Sequence, residues 1–91
     1  MDRKTVLSRL LLQLEAEVGL LEHLESLAIL GRLKSCCQDA RILVNESVAP
    51  GALLALAQQL VGIASHPHVS SRNTLYRIAA SYRLLASQPW Q

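Results

Sequence analysis

The segment SVAPGALLALAQQLVGIASHPHVSS, residues 47–71, decides the fold of this chain because it contains no Asp, Glu, Lys or Arg. Pro50 suits the first turn of a helix, where its missing N–H costs little, and Pro67 ends the apolar pattern. A surface helix of a small protein normally carries one charged face. The segment therefore predicts a helix from Pro50 to about Ser65 that other helices, or a partner, cover on nearly every side.

The composition of the whole chain indicates an all-α protein. The 91 residues suffice for one domain, residues 1–91, and not for two. Hydrophobic residues make up 51% of the chain and are mostly Leu and Ala, whereas aromatic residues make up 3%. Leu and Ala favour helices, while strands are rich in aromatic and β-branched residues. We predict a small bundle of four or five short antiparallel helices.

A stripe of apolar residues predicts the first helix. Its members alternate at spacings of four and three, which is the helical period: Leu7, Leu11, Leu14, Val18 and Leu21. Gly19 could end this helix, because glycine suits the residue that follows a helix. The same apolar repeat also allows the helix to continue to Leu30. The pattern does not decide whether the helix ends at Gly19 or at Leu30.

The next break is predicted near Gly31. Apolar residues before and after this glycine would lie on nearly opposite faces of one straight helix, and a turn removes that conflict. Ser35 and Gln38 then fit the S-x-x-Q capping box that opens a helix. The second helix is predicted to run from there to about Asn45.

The last helix is predicted from Arg72 or Asn73 to about Ser87, with Pro89 ending it. Its apolar face comprises Leu75, Ile78, Ala79, Tyr82, Leu85 and Ala86. Beside this face lies a second group, the basic face, formed by Arg72, Tyr76, Arg77 and Arg83. Arginines next to an aromatic ring can bind phosphate or stack on bases, and they can also bind an acidic protein or simply face water. The net charge of +2 argues against nucleic acid as the main partner.

No motif indicates an enzyme. The sequence contains no Gly-rich phosphate loop, no Ser–His–Asp pattern and no paired carboxylates, and we predict neither catalysis nor a cofactor. His66 and His68 are too few ligands for a metal, so no metal site is predicted. Cys36 and Cys37 are adjacent, which does not suit a disulfide and indicates reduced thiols in the cytoplasm.

No membrane-spanning segment or signal peptide is predicted either. The apolar core of the uncharged segment, residues 52–64, is interrupted by Gln58 and Gln59. It falls short of the roughly 20 apolar residues that a spanning helix needs. The first residues lack a clean apolar core and a cleavage site of small residues. We therefore predict a cytoplasmic protein with no membrane partner.

Two segments resemble a known family. AILGRLKSCCQDARIL, residues 28–43, has an apolar helix, a Gly, a short polar turn and a helix with an acidic–Ala pair, Asp39-Ala40. Residues 57–85 contain QQ, a loop with a proline and the sequence YRL. Together these segments, about half of the chain, are similar to the tetratricopeptide-like chaperones of type III secretion needles. The resemblance implies tetratricopeptide-like helical hairpins, in which small residues let antiparallel helices approach closely.

The resemblance also implies a function, which is that of a bacterial cytosolic chaperone or adaptor. Such a subunit pairs with a small helical co-chaperone and holds the amphipathic helix of the needle subunit in an apolar groove. The residues that we predict to line this groove are Leu53, Leu56, Leu60, Ile63 and Tyr82. Two alternatives remain open. One is a regulator that binds nucleic acid through the basic face, and the other is a homodimeric bundle held by the stripe from Leu7 to Leu21.

Overall fold

The part of the chain that the structure describes folds into four α-helices. The computed structural model describes residues 3–22, 26–46, 50–66 and 72–88. The helices are α1 (Arg3–Leu21), α2 (Leu27–Asn45), α3 (Pro50–Ala64) and α4 (Arg72–Ser87). The predicted all-α class is thereby confirmed, and so are the predicted bounds of the last two helices to within one residue.

The four helices close into a ring. Each helix packs against the next one in the sequence, and α4 returns to pack against α1. Within the described ranges, the backbones of α1 and α3, and those of α2 and α4, do not approach each other closely across the ring. The result is a small helical bundle. The finer prediction of tetratricopeptide-like hairpins gains no support from this packing and stays a prediction.

Ion pairs fix the direction of α2 against α1. A guanidinium nitrogen of Arg41, Nη2, lies 2.9 Å from Oε2 of Glu15. Further along, Nζ of Lys34 lies 3.9 Å from Oε1 of Glu22. The residue numbers rise on one helix as they fall on the other, so the two helices are antiparallel. All four side chains are partly or largely exposed, and such pairs contribute little to stability, about 0–1 kcal/mol each.

Hydrogen bonds fix the junction between α3 and α4. Arg72, the first residue of α4, donates from Nε to the carbonyl oxygen of Ala64 at 3.0 Å and from Nη2 to that of His66 at 3.2 Å. The hydroxyl groups of Ser65 and Tyr76 lie 3.0 Å apart. The last carbonyl groups of a helix lack partners within it. Arg72 therefore satisfies the end of α3 and holds α4 antiparallel beside it.

The interior of the ring is one continuous apolar cluster to which every helix contributes. On α1 the buried residues are Leu7, Leu10, Leu14, Val18 and Leu21. This set confirms most of the predicted stripe, although Leu11 lies at its edge and is only partly buried. Burial of such side chains contributes about 1.5–3 kcal/mol each and is the main force that holds the bundle together.

The outer face of α3 differs from the prediction that this helix is covered on nearly every side. The buried side of α3 comprises Leu53, Leu56, Ala57, Leu60, Ile63 and Ala64. The other side is exposed, and it consists of small residues and glutamines together with Leu54, which is 44% exposed. Small residues and amides tolerate water without a charge. A surface helix can therefore lack charged residues without being covered.

The predicted turn at Gly31 is wrong. Helix α2 is continuous through Gly31, and no described glycine has a positive φ angle. The helix begins earlier, where the side chain of Ser26 accepts a hydrogen bond from the backbone N–H of Ile29 at 3.3 Å. Ser35 and Gln38 lie in the middle of the helix, so they form no capping box. The serine side chain thus gives a hydrogen-bond acceptor to a backbone N–H of the first turn, which has no acceptor within the helix.

The break between α1 and α2 also removes the conflict of faces that suggested the turn. Helix α1 ends at Leu21, which is neither of the two predicted ends, Gly19 and Leu30. Leu27, at the start of α2, is 88% exposed and does not belong to the core. Leu20 is also exposed, whereas Ile29 and Leu30 join the core, so α2 has no two buried faces in conflict.

Candidate partner-binding groove

The five residues predicted to line a partner groove lie inside the ring. Each is at most 1% exposed: Leu53, Leu56, Leu60, Ile63 and Tyr82. They fill the core that α3 and α4 share with their neighbours, and of the five only Leu56 also lines one of the cavities found among the described residues, a shallow one of about 260 Å³ between α2 and α3. In the closed bundle they pack in the core, and their role in binding a partner stays a prediction.

Tyr82 carries a polar group into this core. Its hydroxyl oxygen is buried and has no hydrogen-bond partner in the described part of the chain. Burial raises the pKa of the phenol, and the nearby thiols of Cys37 and Cys36 add to this effect. A buried hydroxyl without a partner destabilises a fold, by about 1–3 kcal/mol. The buried ring of Tyr82 therefore stabilises the core, whereas its hydroxyl group destabilises it.

The two cysteines are poor candidates for chemistry. Burial raises the pKa of Cys36 to about 11, with smaller contributions from Asp39 and Cys37. Burial also raises the pKa of Cys37, and the carboxylate of Glu15 adds to it. Because both pKa values are raised, both thiols are protonated at neutral pH. The reactive form of cysteine is the thiolate, so neither side chain is activated. The structure brings together no group of three or more His, Cys, Asp or Glu residues within its described ranges that could hold a metal.

The four residues of the basic face are all exposed on α4 and make different contacts. Arg72 is engaged with the end of α3, and Tyr76 is close to Ser65. Arg83 is exposed on α4. Arg77 instead lies at a groove between α4 and α1. The structure thus divides the four predicted residues among different tasks.

This groove, which we call the α1–α4 groove, has a volume of about 480 Å³. Helix α1 contributes Arg3, Val6, Arg9, Leu10 and Gln13. Helix α4 contributes Arg77, Ser81, Leu84, Leu85 and Gln88. Leu10 and Leu85 are almost fully buried and form the apolar floor, whereas Leu84 is 63% exposed at the side. Leu84 thus adds an exposed apolar side chain to the apolar floor of the groove.

The length of the groove follows from the helices that form it. Ten residues separate Arg3 from Gln13, and at about 1.5 Å per residue the groove is about 15 Å long. The helices alternate in direction around the ring, so α1 and α4 are antiparallel. Arg3 consequently lies at the end of the groove near Gln88, and Arg77 lies at the end near Gln13.

The charge of the groove has one sign. Three arginines line it, and none of the described residues at its surface is acidic. The cleft between α1 and α2 is different, because there Glu15 and Glu22 pair with Arg41 and Lys34. The α1–α4 groove therefore combines an apolar floor with three arginine side chains in its lining.

Sequence reasoning missed most of this site. Arg3 and Arg9 fall beside the apolar stripe of α1, and nothing in the sequence places them next to Arg77. Leu84 lies outside the apolar face predicted for the last helix. The available signal was that Leu84 and Leu85 give α4 apolar residues on two sides, which indicates a second contact surface.

Comparisons of the chain with protein-family models, with curated proteins and with solved structures give no match. Among the described residues, no helix has both the length and the apolar character to cross a membrane. The geometry of the α1–α4 groove is therefore the main indication of function.

Proposed function

We propose that this protein is a helical binding module that holds an amphipathic helix of a partner protein in the α1–α4 groove. The observation that carries the proposal is the exposed side chain of Leu84 beside the apolar floor formed by Leu10 and Leu85. Exposed leucine next to buried leucine gives a partner an apolar contact without unfolding the bundle. Burial of Leu84 alone contributes up to about 1.5–3 kcal/mol.

The shape of the groove favours a helix as its occupant. The groove lies between two antiparallel helices and is about 15 Å long, which equals three turns of an α-helix. An amphipathic helix binds in such a groove through residues at positions i, i+3, i+4 and i+7. A third helix laid along α1 and α4 would continue the side-by-side packing that already builds the ring.

A narrower form of the proposal comes from the sequence resemblance alone. In that form the protein is a cytoplasmic, bacterial chaperone or adaptor of tetratricopeptide-like type. With a small helical co-chaperone, it holds the helix of a type III secretion needle subunit before assembly. What supports this form is the likeness of residues 28–43 and 57–85 to that family. The helical bundle is compatible with it and equally with other binding modules.

The test of the general proposal uses a synthetic amphipathic peptide of three helical turns with leucines along one face. We expect that backbone amide shifts in the nuclear magnetic resonance spectrum change mainly along α1 and α4 on titration. Leu84→Glu should weaken binding at least tenfold, since it places a charge on the apolar contact.

The matched control is Leu54→Glu, because Leu54 is also an exposed leucine but lies on α3. This variant should bind the peptide like the wild type. Shift changes confined to α2 and α3, or equal weakening by both variants, would show that the helix binds elsewhere. The absence of any binding would contradict the proposal.

A further inference from the structure

We propose that two copies of this chain form a dimer that dissociates on dilution, with the outer sides of their α2 helices packed antiparallel. The basis is a pair of opposite charges on α2, Arg32 and Asp39. Neither forms an ion pair or a hydrogen bond in the part of the chain that the structure describes. This surface is separate from the α1–α4 groove, so the inference does not depend on the proposed function.

The charged side chains of α2 fall into two groups. Two of them pair with glutamates of α1. The other two lie on the side of α3, where the guanidinium group of Arg32 is beside Gly62 and Asp39 lines the shallow cavity between α2 and α3. Helix α3 contains no charged residue that could pair with either of them. This side of the bundle therefore presents one cation and one anion to its surroundings.

Arg32 and Asp39 are too far apart to pair with each other. Seven residues separate them, which is two turns, so they share one side of α2 but lie about 10 Å apart along its axis. An ion pair needs its nitrogen and oxygen atoms within about 4 Å. A second α2 that runs in the opposite direction reverses the order of the charges. Each Arg32 then lies opposite Asp39 of the other copy, and one surface supplies both halves of two ion pairs.

The other residues on this side of α2 fit the same arrangement. We call the set the α2 ridge, and its members follow at spacings of four and three along one side of the helix: Ala28, Arg32, Ser35, Asp39 and Ile42. With Ser35 at the centre of the antiparallel pair, the small side chain of Ala28 lies opposite Ile42 of the other copy. Ile42 is 51% exposed, so its burial adds an apolar contribution to that of the ion pairs.

The charge pattern favours a second copy over other occupants. A nucleic acid or an anionic membrane surface would be attracted by Arg32 but repelled by Asp39. A different protein would need the same alternation of charges at the same spacing, which a second copy has by symmetry. Exposed ion pairs contribute little, and Ile42 is the largest apolar residue of the α2 ridge. We therefore expect the dimer to be weak and to weaken further as salt rises.

The experiment is sedimentation equilibrium of the whole chain over concentrations from about 1 μM to about 1 mM. Arg32→Asp and Asp39→Arg each place like charges opposite each other at both contacts of the dimer. We expect each variant to dimerise at least tenfold more weakly than the wild type. The double variant, Arg32→Asp with Asp39→Arg, restores opposite charges and should dimerise like the wild type. Ile42→Glu should also weaken the dimer at least tenfold, since it places a charge on the apolar contact.

A mixture of the two single variants tests the antiparallel arrangement directly. In a mixed dimer, one copy has acids at both positions and the other has arginines, so both contacts are attractive. The mixture should associate at least tenfold more tightly than either variant does alone. Neither variant has a negative net charge, so overall attraction between the two does not account for such a result.

The matched control is Arg83→Asp, which makes the same change of charge at an exposed position of α4. It should dimerise like the wild type. A wild-type chain that stays monomeric at every concentration would overturn the inference. So would a dimer that the charge reversals and Ile42→Glu leave unchanged, or a mixture that associates no better than its components. None of these results bears on the α1–α4 groove, because peptide binding there is measured separately.

Discussion

The two sides of helix α4 differ in how they are used. Toward α3, the side chains of Leu75, Ile78 and Tyr82 are fully buried, and the two helices contact each other extensively. Toward α1 the contact is less extensive, and Arg77 and Leu84 stand at an open groove. One helix thus contributes to stability with one face and offers a surface for recognition with the other. Substitutions on the two faces should therefore have separable effects.

The largest expected effect is on the side shared by α3 and α4. Leu60→Ala removes a fully buried side chain from the core and leaves a cavity. Such changes lower the free energy of unfolding by about 2–5 kcal/mol. Urea denaturation followed by circular dichroism measures the loss.

The control for this prediction is Leu54→Ala on the same helix, because Leu54 is partly exposed. Its effect should stay below about 1 kcal/mol. Equal losses for the two variants would contradict the assignment of Leu60, rather than Leu54, to the core.

An intermediate effect is expected at the junction between α3 and α4. Arg72→Ala removes the donors that bind the carbonyl oxygens of Ala64 and His66. Water can replace part of these bonds at the surface, so we expect a loss of about 1 kcal/mol in the free energy of unfolding. The comparison is with Arg83→Ala, which changes an exposed arginine of the same helix. A loss from Arg83→Ala as large as that from Arg72→Ala would contradict the capping role.

The smallest effect on stability is expected at Tyr82, within the core itself. Tyr82→Phe keeps the ring and removes a buried hydroxyl that has no partner among the described residues. We expect the free energy of unfolding to be unchanged or to rise by up to about 1 kcal/mol. Urea denaturation of the variant beside the wild type measures it. A clear loss of stability would mean that the hydroxyl has a partner in the folded protein.

The sequence predicted the second half of the fold better than the first. The starts of α3 and α4 could be predicted because Pro50 and the return of charge at Arg72 mark them. The start of α2 could not, since Gly31 looked like a break although a glycine within a helix costs only about 1 kcal/mol. The hydrogen bond from Ile29 to Ser26 outweighs that cost together with the burial of the α2 core residues.

The candidate site was harder to predict than the fold. Apolar periodicity marks a covered face but does not say whether the chain itself or a partner covers it. Leu56 and Leu60 showed that periodicity and belong to the core. Arg9 and Leu84 lie on different helices, 75 residues apart, and only the return of α4 to α1 brings them to one groove. No local sequence pattern predicts a contact between residues so far apart in the chain.

The closed ring also bears on how the chain folds. Three of the four helix contacts join neighbours in the sequence, and contacts of this kind favour fast folding. The contact of α1 with α4 joins the two ends of the chain, so it requires closure of the longest loop. We expect this contact to form after the others. A helix bound between α1 and α4 would then act as a clasp, holding together the part of the bundle with the lowest resistance to opening.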